Sequence, residues 1–535
     1  MNDEAIHRAS GNGGEAELAE ALLQPTAYPH SVGRISLIET HISRVFLTGE
    51  WAYKVKKPVN LGFLDFTTLD ARRRYCEEEL RLNRRLAPTI YQSVVEIRGS
   101  PERPRIEGTG PVLDYAVKMR EFPQGALASE MLDRGELTAA HVDALALCIA
   151  QFHGGVGRAG PDAAVGAPEA ILKPALDNFG ALEAHLDDGA TADALRRLRG
   201  WTAREYVALR SLLAARRQDG FVRECHGDLH LRNIVILDGR PVPFDCIEFE
   251  EALRWVDVMS EIAFVVMDFA DRQRADLGWR FLNAYIQATG DYAGLAVLRF
   301  YLVYRSLVRA KVHALRARQS GLDHGERERL ECAARDYVAL AQRFVADVRR
   351  ALVITHGVSG SGKTWSTQSF IETAGAIRVR SDIERKRLHG LAALARSDSA
   401  PDAGIYTTQA TRATYERLLH LADLIVCAGY PVLVDAAFLE RRKRNTFRDH
   451  AARLHVPFAI VAFDAPVATL RARVARRLAD AADASEADLA ILERQLAYRQ
   501  AFFAEEAPSV FAVDTREPVA PDTWKPLLKR LALPA

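Results

Sequence analysis

The spacing of hydrophobic and polar positions changes several times along the chain, and each change marks a different kind of element. Between residues 34 and 59, short alternating runs predict two or three β-strands with a turn at Thr48–Gly49. A helical pattern follows over residues 70–86. Two more alternating runs, at residues 91–99 and 113–122, predict further strands. This part of the chain therefore predicts a small lobe of mixed strands and helix.

Helical spacing dominates after residue 122. Between residues 138 and 152, apolar residues recur at intervals of three and four, which places them on one face of a helix: Val142, Leu145, Ile149 and Phe152. Residues 233–245 predict two short strands joined by a turn. A further block with helical spacing extends from about residue 255 to 348.

From residue 351 the pattern alternates between short apolar strands and helical segments. The predicted strands are at residues 351–355, 377–381, 431–438, 457–463 and 509–514. Such alternation is typical of a parallel sheet flanked by helices. The chain therefore combines an α+β part with an α/β part, and its length requires two or more domains.

The pattern also predicts where the domains begin and end. Residues 1–18 are rich in Gly, Ala and Glu and predict a disordered N-terminus. The domains are expected at 19–348 and 349–535, because the apolar strand at 351–355 opens the second pattern. No Gly/Ser-rich or Pro-rich spacer separates them, so we expect a helix at the junction.

Composition limits the class of protein without identifying it. The 71 Lys and Arg residues nearly balance the 70 Asp and Glu residues, and the formal charge of +1 argues against a dedicated nucleic-acid or membrane-surface protein. The six cysteines are scattered without a CxxC pair, which is typical of reduced thiols. There is no secretory signal and no apolar run of about 18 residues. We therefore expect a cytoplasmic protein.

The sharpest motif is GVSGSGKT at residues 357–364, between the strand at 351–355 and a predicted helix. Glycines in this GxxxxGK[ST] pattern let backbone N–H groups point at phosphates, the lysine neutralises the β/γ oxygens, and the hydroxyl binds Mg²⁺. The residues assigned to the nucleotide are Gly357, Gly360, Ser361, Gly362, Lys363 and Thr364, and Thr364 is also assigned to the metal.

Two aspartates follow neighbouring strands of the same predicted sheet. Asp435 closes the strand that begins at residue 431 and is the candidate partner of the metal ion. Asp382 directly follows the strand IRVR, where a carboxylate can accept a proton from a substrate hydroxyl. Arg385, one helical turn later, is suited to hold an anion. The alternative role for Asp382 is that of a helix N-cap.

Residues 351–535 resemble the P-loop kinases that include gluconate kinases, zeta-type toxins and the kinase domain of polynucleotide kinase. The D-x-x-R step at Asp382 matches the acceptor-side motif of the polynucleotide branch. The resemblance also implies a mobile lid at the run 471–477, where the candidates for phosphate contact are Arg473, Arg476 and Arg477. A solvated basic helix face is the alternative, and RRKR at residues 441–444 is expected to be solvated.

A second motif, HGDLHLRN at residues 226–233, is followed across the predicted hairpin by FDCIE at residues 244–248. The residue types fit phosphoryl transfer: Asp228 near an acceptor hydroxyl as base or orienter, with Asn233 and Asp245 on Mg²⁺. His226 is expected to brace the loop, and His230 is expected only to fill it.

This second motif resembles that of the aminoglycoside phosphotransferases and choline kinases, and the resemblance covers most of the first predicted domain. It implies a bilobal, protein-kinase-like fold. It also implies that Lys54 contacts the α- and β-phosphates, with Lys56 as the alternative. The ion-pair partner of the lysine would be Glu78 or Glu79, and residues 119–122 would form the hinge beside the adenine.

The chain departs from that family in several places. THISRVFLTG at residues 40–49 stands where a glycine-rich phosphate loop is expected. Glu248 is a candidate second metal ligand, and Asp257 is expected to anchor the catalytic loop from a helix. A degenerate lobe that binds ATP without transferring phosphate is therefore the alternative reading of this domain.

The whole chain resembles a fused family that joins an aminoglycoside-phosphotransferase-like domain to a P-loop kinase-like ATP-binding domain. The resemblance implies ATP, Mg²⁺ and phosphoryl transfer, and we predict a kinase with two nucleotide sites that acts on a small-molecule hydroxyl. Two alternatives stay open: an ATP-sensing regulatory protein, and a nucleic-acid 5′-hydroxyl kinase through the second domain. No pattern predicts the acceptor or the oligomeric state.

Overall fold

The computed structural model describes residues 14–533 except 63, 161–164, 187, 320, 394, 398–402 and 481–484. The chain divides into two compact units, one formed by Met1–Ala170 and Ala214–Glu261 and the other by Ile171–Leu213 and Ile262–Ala535. The sequence predicts disorder to residue 18, whereas residues 14–21 are helical; residues 1–13 lie outside the described part of the chain.

The first unit contains a six-stranded antiparallel sheet of order β1-β2-β3-β6-β4-β5. Its strands are β1 Ser36–Glu39, β2 Ser43–Leu47, β3 Trp51–Lys56, β4 Tyr91–Ser100, β5 Arg103–Ile106 and β6 Val112–Arg120. Helix α1, Leu69–Asn83, packs on β4 and β6. It begins at Thr68, whose side chain accepts a hydrogen bond from the amide of Ala71. The predicted lobe of strands with one helix is therefore present.

The rest of the first unit is mainly helical and carries the second motif on a loop between short strands. Its elements are α2 Ala128–Asp133, α3 Ala139–Gly155, β7 Val222–Glu224, β8 Ile234–Leu237, β9 Arg240–Pro243, α6 Glu251–Arg254 and β10 Trp255–Asp257. The apolar face predicted for α3 is buried in the structure. Strands β8 and β9 form the predicted hairpin, and β10 pairs antiparallel with β7.

The chain passes between the two residue sets within three helices: α4 Pro168–Glu183, α5 Gly189–Gln218 and α7 Val258–Asp271. Three further helices belong to the second unit: α8 Ala275–Thr289, α9 Leu295–Ala317 and α10 His324–Ala346. The last change from the first compact unit to the second is therefore between residues 261 and 262, whereas the sequence pattern predicts the domain boundary between residues 348 and 349. In the described part of the chain, no helix is both long enough and apolar enough to cross a membrane.

The second unit is built on a parallel five-stranded sheet of order β12-β13-β11-β14-β15, as the alternating pattern predicts. Its strands are β11 Leu352–His356, β12 Ile377–Arg380, β13 Val432–Asp435, β14 Phe458–Asp464 and β15 Val510–Asp514. Its helices are α11 Lys363–Ala374, α12 Ser381–Leu388, α13 Thr408–Cys427, α14 Arg441–Arg453, α15 Val467–Asp480, α16 Leu489–Tyr498 and α17 Lys525–Arg530. Helices α11 and α17 cover an apolar core that contains Phe370, Trp524 and Leu528.

Candidate functional site

The loop between β7 and β8 brings together the acidic and amide side chains of the second motif. The Nδ2 atom of Asn233 donates to the carboxylate of Asp228 at 3.1 Å and to its backbone oxygen at 3.0 Å. The Nε2 atom of His230 lies 3.4 Å from the same carboxylate. The Asp228 side chain is 37% exposed, so it can meet a molecule that approaches from solvent.

Lys54 joins this first site to the sheet. Its ammonium lies 2.7 Å from Oε1 of Glu79 and 2.5 Å from Oδ1 of Asp245. Burial acts against the charge of Lys54, but the two carboxylates outweigh it and hold the pKa of the ammonium well above its ordinary value. Glu79 is therefore the partner among the two glutamates left open by the sequence, since Glu78 pairs with Arg81 and Arg254.

Lys56 makes a second set of ion pairs beside the first. It lies 2.7 Å from Oε2 of Glu79 and also pairs with Glu248. All three side chains are buried. The role of Glu248 as a second metal ligand stays a prediction, and in the structure its carboxylate is 4% exposed and pairs with Lys56. Burial raises the pKa of Glu248.

Asp245 holds an unusual backbone conformation at the end of the hairpin. Its φ is 65°, in the left-handed region that residues with a Cβ rarely adopt. The hydroxyl of Tyr91 accepts a hydrogen bond from its amide at 3.2 Å, and the Asn83 side chain accepts one from the amide of Cys246 at 2.9 Å. These bonds fix the turn, and the Asp245 carboxylate is 43% exposed.

The region at residues 40–49 that stands in place of a glycine-rich loop comprises a short turn after β1, strand β2 and the start of the next turn. The amide of Ser43 donates to Oγ1 of Thr40 at 3.0 Å, and the amide of Thr40 donates to the Ser43 oxygen at 2.9 Å. The predicted hinge at residues 119–122 spans the last two residues of β6 and the two that follow, and the ring of Phe122 meets that of Phe244 at 5.1 Å.

The P-loop in the second unit joins β11 to α11, as the motif predicts. The Lys363 ammonium donates to the backbone oxygens of Gly357 at 2.8 Å and Val358 at 2.9 Å. Burial lowers the pKa of Lys363. At Gly360, where φ is 80°, an added Cβ would lie 2.8 Å from the backbone oxygen of Leu470. A residue with a side chain would not fit there.

The two predicted metal ligands of the P-loop lie side by side. The hydroxyl of Thr364 donates to Oδ2 of Asp435 at 2.6 Å. A hydroxyl and a carboxylate at the end of a parallel strand are oxygen donors of the kind that Mg²⁺ takes. These two residues therefore fit the ion that the P-loop family implies.

The P-loop opens into a cavity of about 370 Å³. Asp382 and Arg385 line it together with the P-loop residues Gly360, Gly362, Lys363 and Thr364. The Arg385 guanidinium donates to the Ile405 oxygen at 2.9 Å and lies 5.2 Å from the ring centre of Tyr406. Its Nε is buried and makes no hydrogen bond to any described residue. The N-cap of α12 is Arg380, and Asp382 is in the first turn of the helix.

The three candidate arginines of α15 occupy different positions. Arg473 lines the cavity, and its guanidinium contacts the Gly360 oxygen at 3.4 Å and Oγ1 of Thr515 at 3.2 Å. Arg477 also lines the cavity and donates to the Ala487 oxygen at 2.6 Å. Arg476 lies on the exposed face of the helix.

The run RRKR at 441–444 differs from the expected solvated face. Arg444 is fully buried, and its guanidinium lies 2.6 Å from Oε1 and 2.9 Å from Oε2 of Glu506. Lys443 lines the P-loop cavity, with its ammonium 4.5 Å from the ring centre of Tyr415. The alternation of buried and exposed positions follows the pitch of α14, which the four letters of the motif do not show.

Comparisons with known proteins agree with the two folds. A family model described as "Phosphotransferase enzyme family" matches residues 64–301, and one described as "AAA domain" matches residues 352–502. Uncharacterized proteins of Mycobacterium bovis and Mycobacterium tuberculosis are each 31% identical to this chain over 469 residues, which cover 87% of this chain and 90% of theirs. The chain belongs to the fused phosphotransferase and P-loop kinase family. It is a kinase.

Some solved structures are similar to about three fifths of this kinase and others to about one third. An amicoumacin kinase in complex with AMP-PNP is 15% identical and covers 63% of this chain and 96% of its own, with a TM-score of 0.37. A choline/ethanolamine kinase family protein from Mesorhizobium loti is 14% identical and covers 61% and 99%, with a TM-score of 0.36. A gluconokinase from Sinorhizobium meliloti is 21% identical and covers 35% and 91%, with a TM-score of 0.22.

The sequence did not reveal what supports the loop at residues 226–233 of this kinase. Oε1 of Glu261 accepts hydrogen bonds from the amides of His226 at 2.7 Å and Gly227 at 2.8 Å. Its other oxygen lies 2.7 Å from Nε2 of His153. Asp257, which the sequence assigned to this task, instead pairs with buried Arg216 at 2.7 Å. Glu261 therefore anchors the loop, and Asp257 holds the chain that follows β10.

The P-loop also has a contact that sequence reasoning missed. The Oε1 atom of Gln495 accepts a hydrogen bond from the amide of Ser359 at 2.7 Å. Gln495 lies on α16, 136 residues further along the chain. No local pattern identifies such a residue, because its role depends only on where α16 packs.

Proposed function

We propose that this kinase has two nucleotide sites and that its P-loop site transfers the γ-phosphate of ATP to a hydroxyl of a small molecule. The observation that supports the second part is the shared cavity. Lys363, the Thr364–Asp435 pair, and Asp382 with Arg385 all line it. Phosphoryl transfer needs a phosphate cradle, a metal site and a group that orients the hydroxyl.

The roles in the P-loop site follow from the chemistry of each side chain. The loop amides and Lys363 would bind the phosphates, while Thr364 and Asp435 would hold Mg²⁺, which neutralises phosphate charge when bound. Asp382 would orient the hydroxyl and accept its proton. Arg473 and Arg477 would meet the phosphates, and their position on the lining of the same cavity supports this role.

The charge of the cavity supports an acceptor that carries a negative group as well as a hydroxyl. Arg385 and Lys443 both line it and are packed against tyrosine rings. The buried Nε of Arg385 makes no hydrogen bond to any described residue, so it can donate to a carboxylate or phosphate of the acceptor. A carboxylate or phosphate on the acceptor would satisfy this donor.

The first unit supports a second site of the same general chemistry. Lys54 would contact the α- and β-phosphates, Asn233 and Asp245 would hold Mg²⁺, and Asp228 would orient an acceptor hydroxyl. The exposed carboxylates of Asp228 and Asp245 support this assignment. The short turn at Thr40 is the observation that favours the alternative, an ATP-binding lobe that regulates without transfer, because it brings no glycine-rich backbone to the phosphates.

Transfer of labelled phosphate from ATP to a metabolite extract tests the proposal. We expect labelled products with the wild-type protein, loss of one set with Asp382→Asn and loss of any other set with Asp228→Asn. Each substitution removes a proton acceptor, which lowers the rate by roughly 10²–10⁴-fold. Ile491→Val, which removes one methyl group from a residue that lines the same cavity outside the P-loop, is the control. If every labelled product survived Asp382→Asn unchanged, transfer at the P-loop site would be contradicted. If every labelled product were lost with Asp382→Asn and none with Asp228→Asn, a regulatory first unit would be favoured.

A further inference from the structure

The edge strand of the P-loop sheet has backbone groups on its outer side that are hydrogen-bonded to a side chain. β12 is at the end of the strand order and pairs with β13 on one side only. On that side the amide of Ile377 donates to the Pro431 oxygen at 2.8 Å. The neighbouring backbone groups point the other way, since hydrogen-bonding groups alternate along a strand. Helix α8 lies there.

Asn283 of α8 binds those backbone groups as a neighbouring strand would. Its Oδ1 accepts a hydrogen bond from the amide of Arg378 at 2.7 Å, and its Nδ2 donates to the Ala376 oxygen at 3.0 Å. The same Nδ2 donates to the Trp279 oxygen one turn earlier in α8, at 2.9 Å. Asn283 is 2% exposed, so water does not compete for these bonds.

Neighbouring contacts hold the same region from α8 and α9. The Trp279 ring packs so closely on Gly375, where φ is 64°, that an added Cβ would lie 2.8 Å from it. The Arg299 guanidinium stacks on Tyr430 at 5.2 Å and donates to the Gly429 oxygen at 3.3 Å. The chain just before β12 and the turn just before β13 are thus both fixed by helices that precede the P-loop in sequence.

The groups on the acceptor side of the cavity depend on the position of β12. Helix α12 begins where the strand ends and carries Asp382 and Arg385. Arg378, the residue whose amide Asn283 binds, donates from its side chain to the Thr364 oxygen at 2.9 Å and to Oε1 of Gln368 at 2.9 Å. A shift of β12 would therefore move the proton acceptor relative to the P-loop helix.

We propose that Asn283 is a positioning residue for the P-loop site, and that this site is completed by α8 and α9, which precede the P-loop domain. Both helices include residues that the phosphotransferase family model matches, since that match extends to residue 301. The inference concerns the Asp382 side of the cavity and goes beyond the proposed transfer reaction. If it holds, residues from both segments matched by the family models are needed to form the P-loop kinase site.

Hydrogen–deuterium exchange on the full-length protein tests the inference without an acceptor. In Asn283→Ala we expect residues 376–388 to exchange about tenfold faster, because two buried backbone groups lose their partner. Residues 363–374 and the affinity for an ATP analogue should stay as in the wild type. Asn283→Asp keeps the acceptor for the Arg378 amide, so its exchange rate at residues 376–388 should lie between those of the wild type and Asn283→Ala. This variant also tests the inference if Asn283→Ala folds poorly.

Asp276→Asn is the matched control on the same helix. The Asp276 carboxylate pairs with Arg274 at 2.8 Å at the start of α8, so exchange of residues 376–388 should not change. Unchanged exchange in both Asn283 variants would overturn the inference. In the labelled-phosphate assay, Asn283→Ala should raise the acceptor KM or lower turnover while ATP affinity holds. Faster exchange with both the acceptor KM and the turnover unchanged would also overturn the positioning role, whereas absence of wild-type transfer at this site would remove only the proposed function.

Discussion

At the scale of single residues, two lysines of the first site share one buried carboxylate but have different neighbours. Lys54 and Lys56 stand two positions apart on β3, so their side chains lie on the same face of the sheet. Each binds one oxygen of Glu79. Lys54 also forms an ion pair with the partly exposed Asp245, and Lys56 also forms one with the buried Glu248. We infer that Lys54 meets the nucleotide and that Lys56 braces the site.

This difference can be measured by comparing two substitutions. Lys56→Met leaves Glu248 buried without a cation, which should lower the free energy of unfolding by about 3–5 kcal/mol. Denaturant titration should show that loss, and Lys56→Met combined with Glu248→Gln should recover at least half of it. Lys54→Met should instead abolish ATP binding at the first site. A double variant no more stable than Lys56→Met would contradict the bracing role.

At the scale of elements, the loop at residues 226–233 is held by the first turn of α7. Glu261 binds two loop amides with one oxygen and His153 with the other. Burial opposes its charge, but His153, His226 and the Gly227 amide outweigh burial and lower the pKa of Glu261. Because the folded-state pKa is lowered, this contribution to stability is complete above the ordinary value of 4.5 and is lost as the pH falls through the folded-state pKa.

Glu261→Gln should reduce turnover at the first site by about tenfold or more while the affinity for ATP changes little, because the loop is misplaced and the nucleotide contacts remain. The measurement is ATP turnover in a Lys363→Met background. In the same variant, stability should depend less steeply on pH below about 4.5 than in the wild type. An equal loss of ATP affinity and turnover would mean that Glu261 only stabilises the fold.

Elements that depend on local pattern were predictable, and contacts between distant residues were not. The parallel sheet and the P-loop follow from alternating apolar runs and an eight-residue motif, and both are confirmed. Glu261 and Asn283 were missed, since their partners lie 35 and 95 residues away. Arg444 was misjudged for the same reason, because Glu506 is 62 residues further on. A charged or amide side chain on a helix gives no sign of such a partner.

At the scale of the whole molecule, the two proposed nucleotide sites should bind independently of each other's lysine. A titration with a non-hydrolysable ATP analogue and Mg²⁺ should give two equivalents for the wild type, one each for Lys54→Met and Lys363→Met, and none for the double variant. In the proposed sites these lysines would supply the main positive charge to the phosphates. A wild-type stoichiometry of one would contradict the proposal of two sites.

The side-chain amide at the edge of the P-loop sheet also bears on solubility. Bare strand edges recruit further strands from other molecules, and proteins cover them by several means. Here one side of β12 is covered by Asn283 and the close packing of Trp279. A fragment cut at residue 349 would expose that edge together with apolar surface. Such a fragment is expected to aggregate. A fragment that begins before α8 keeps Asn283 and Trp279 over the edge and is expected to stay in solution.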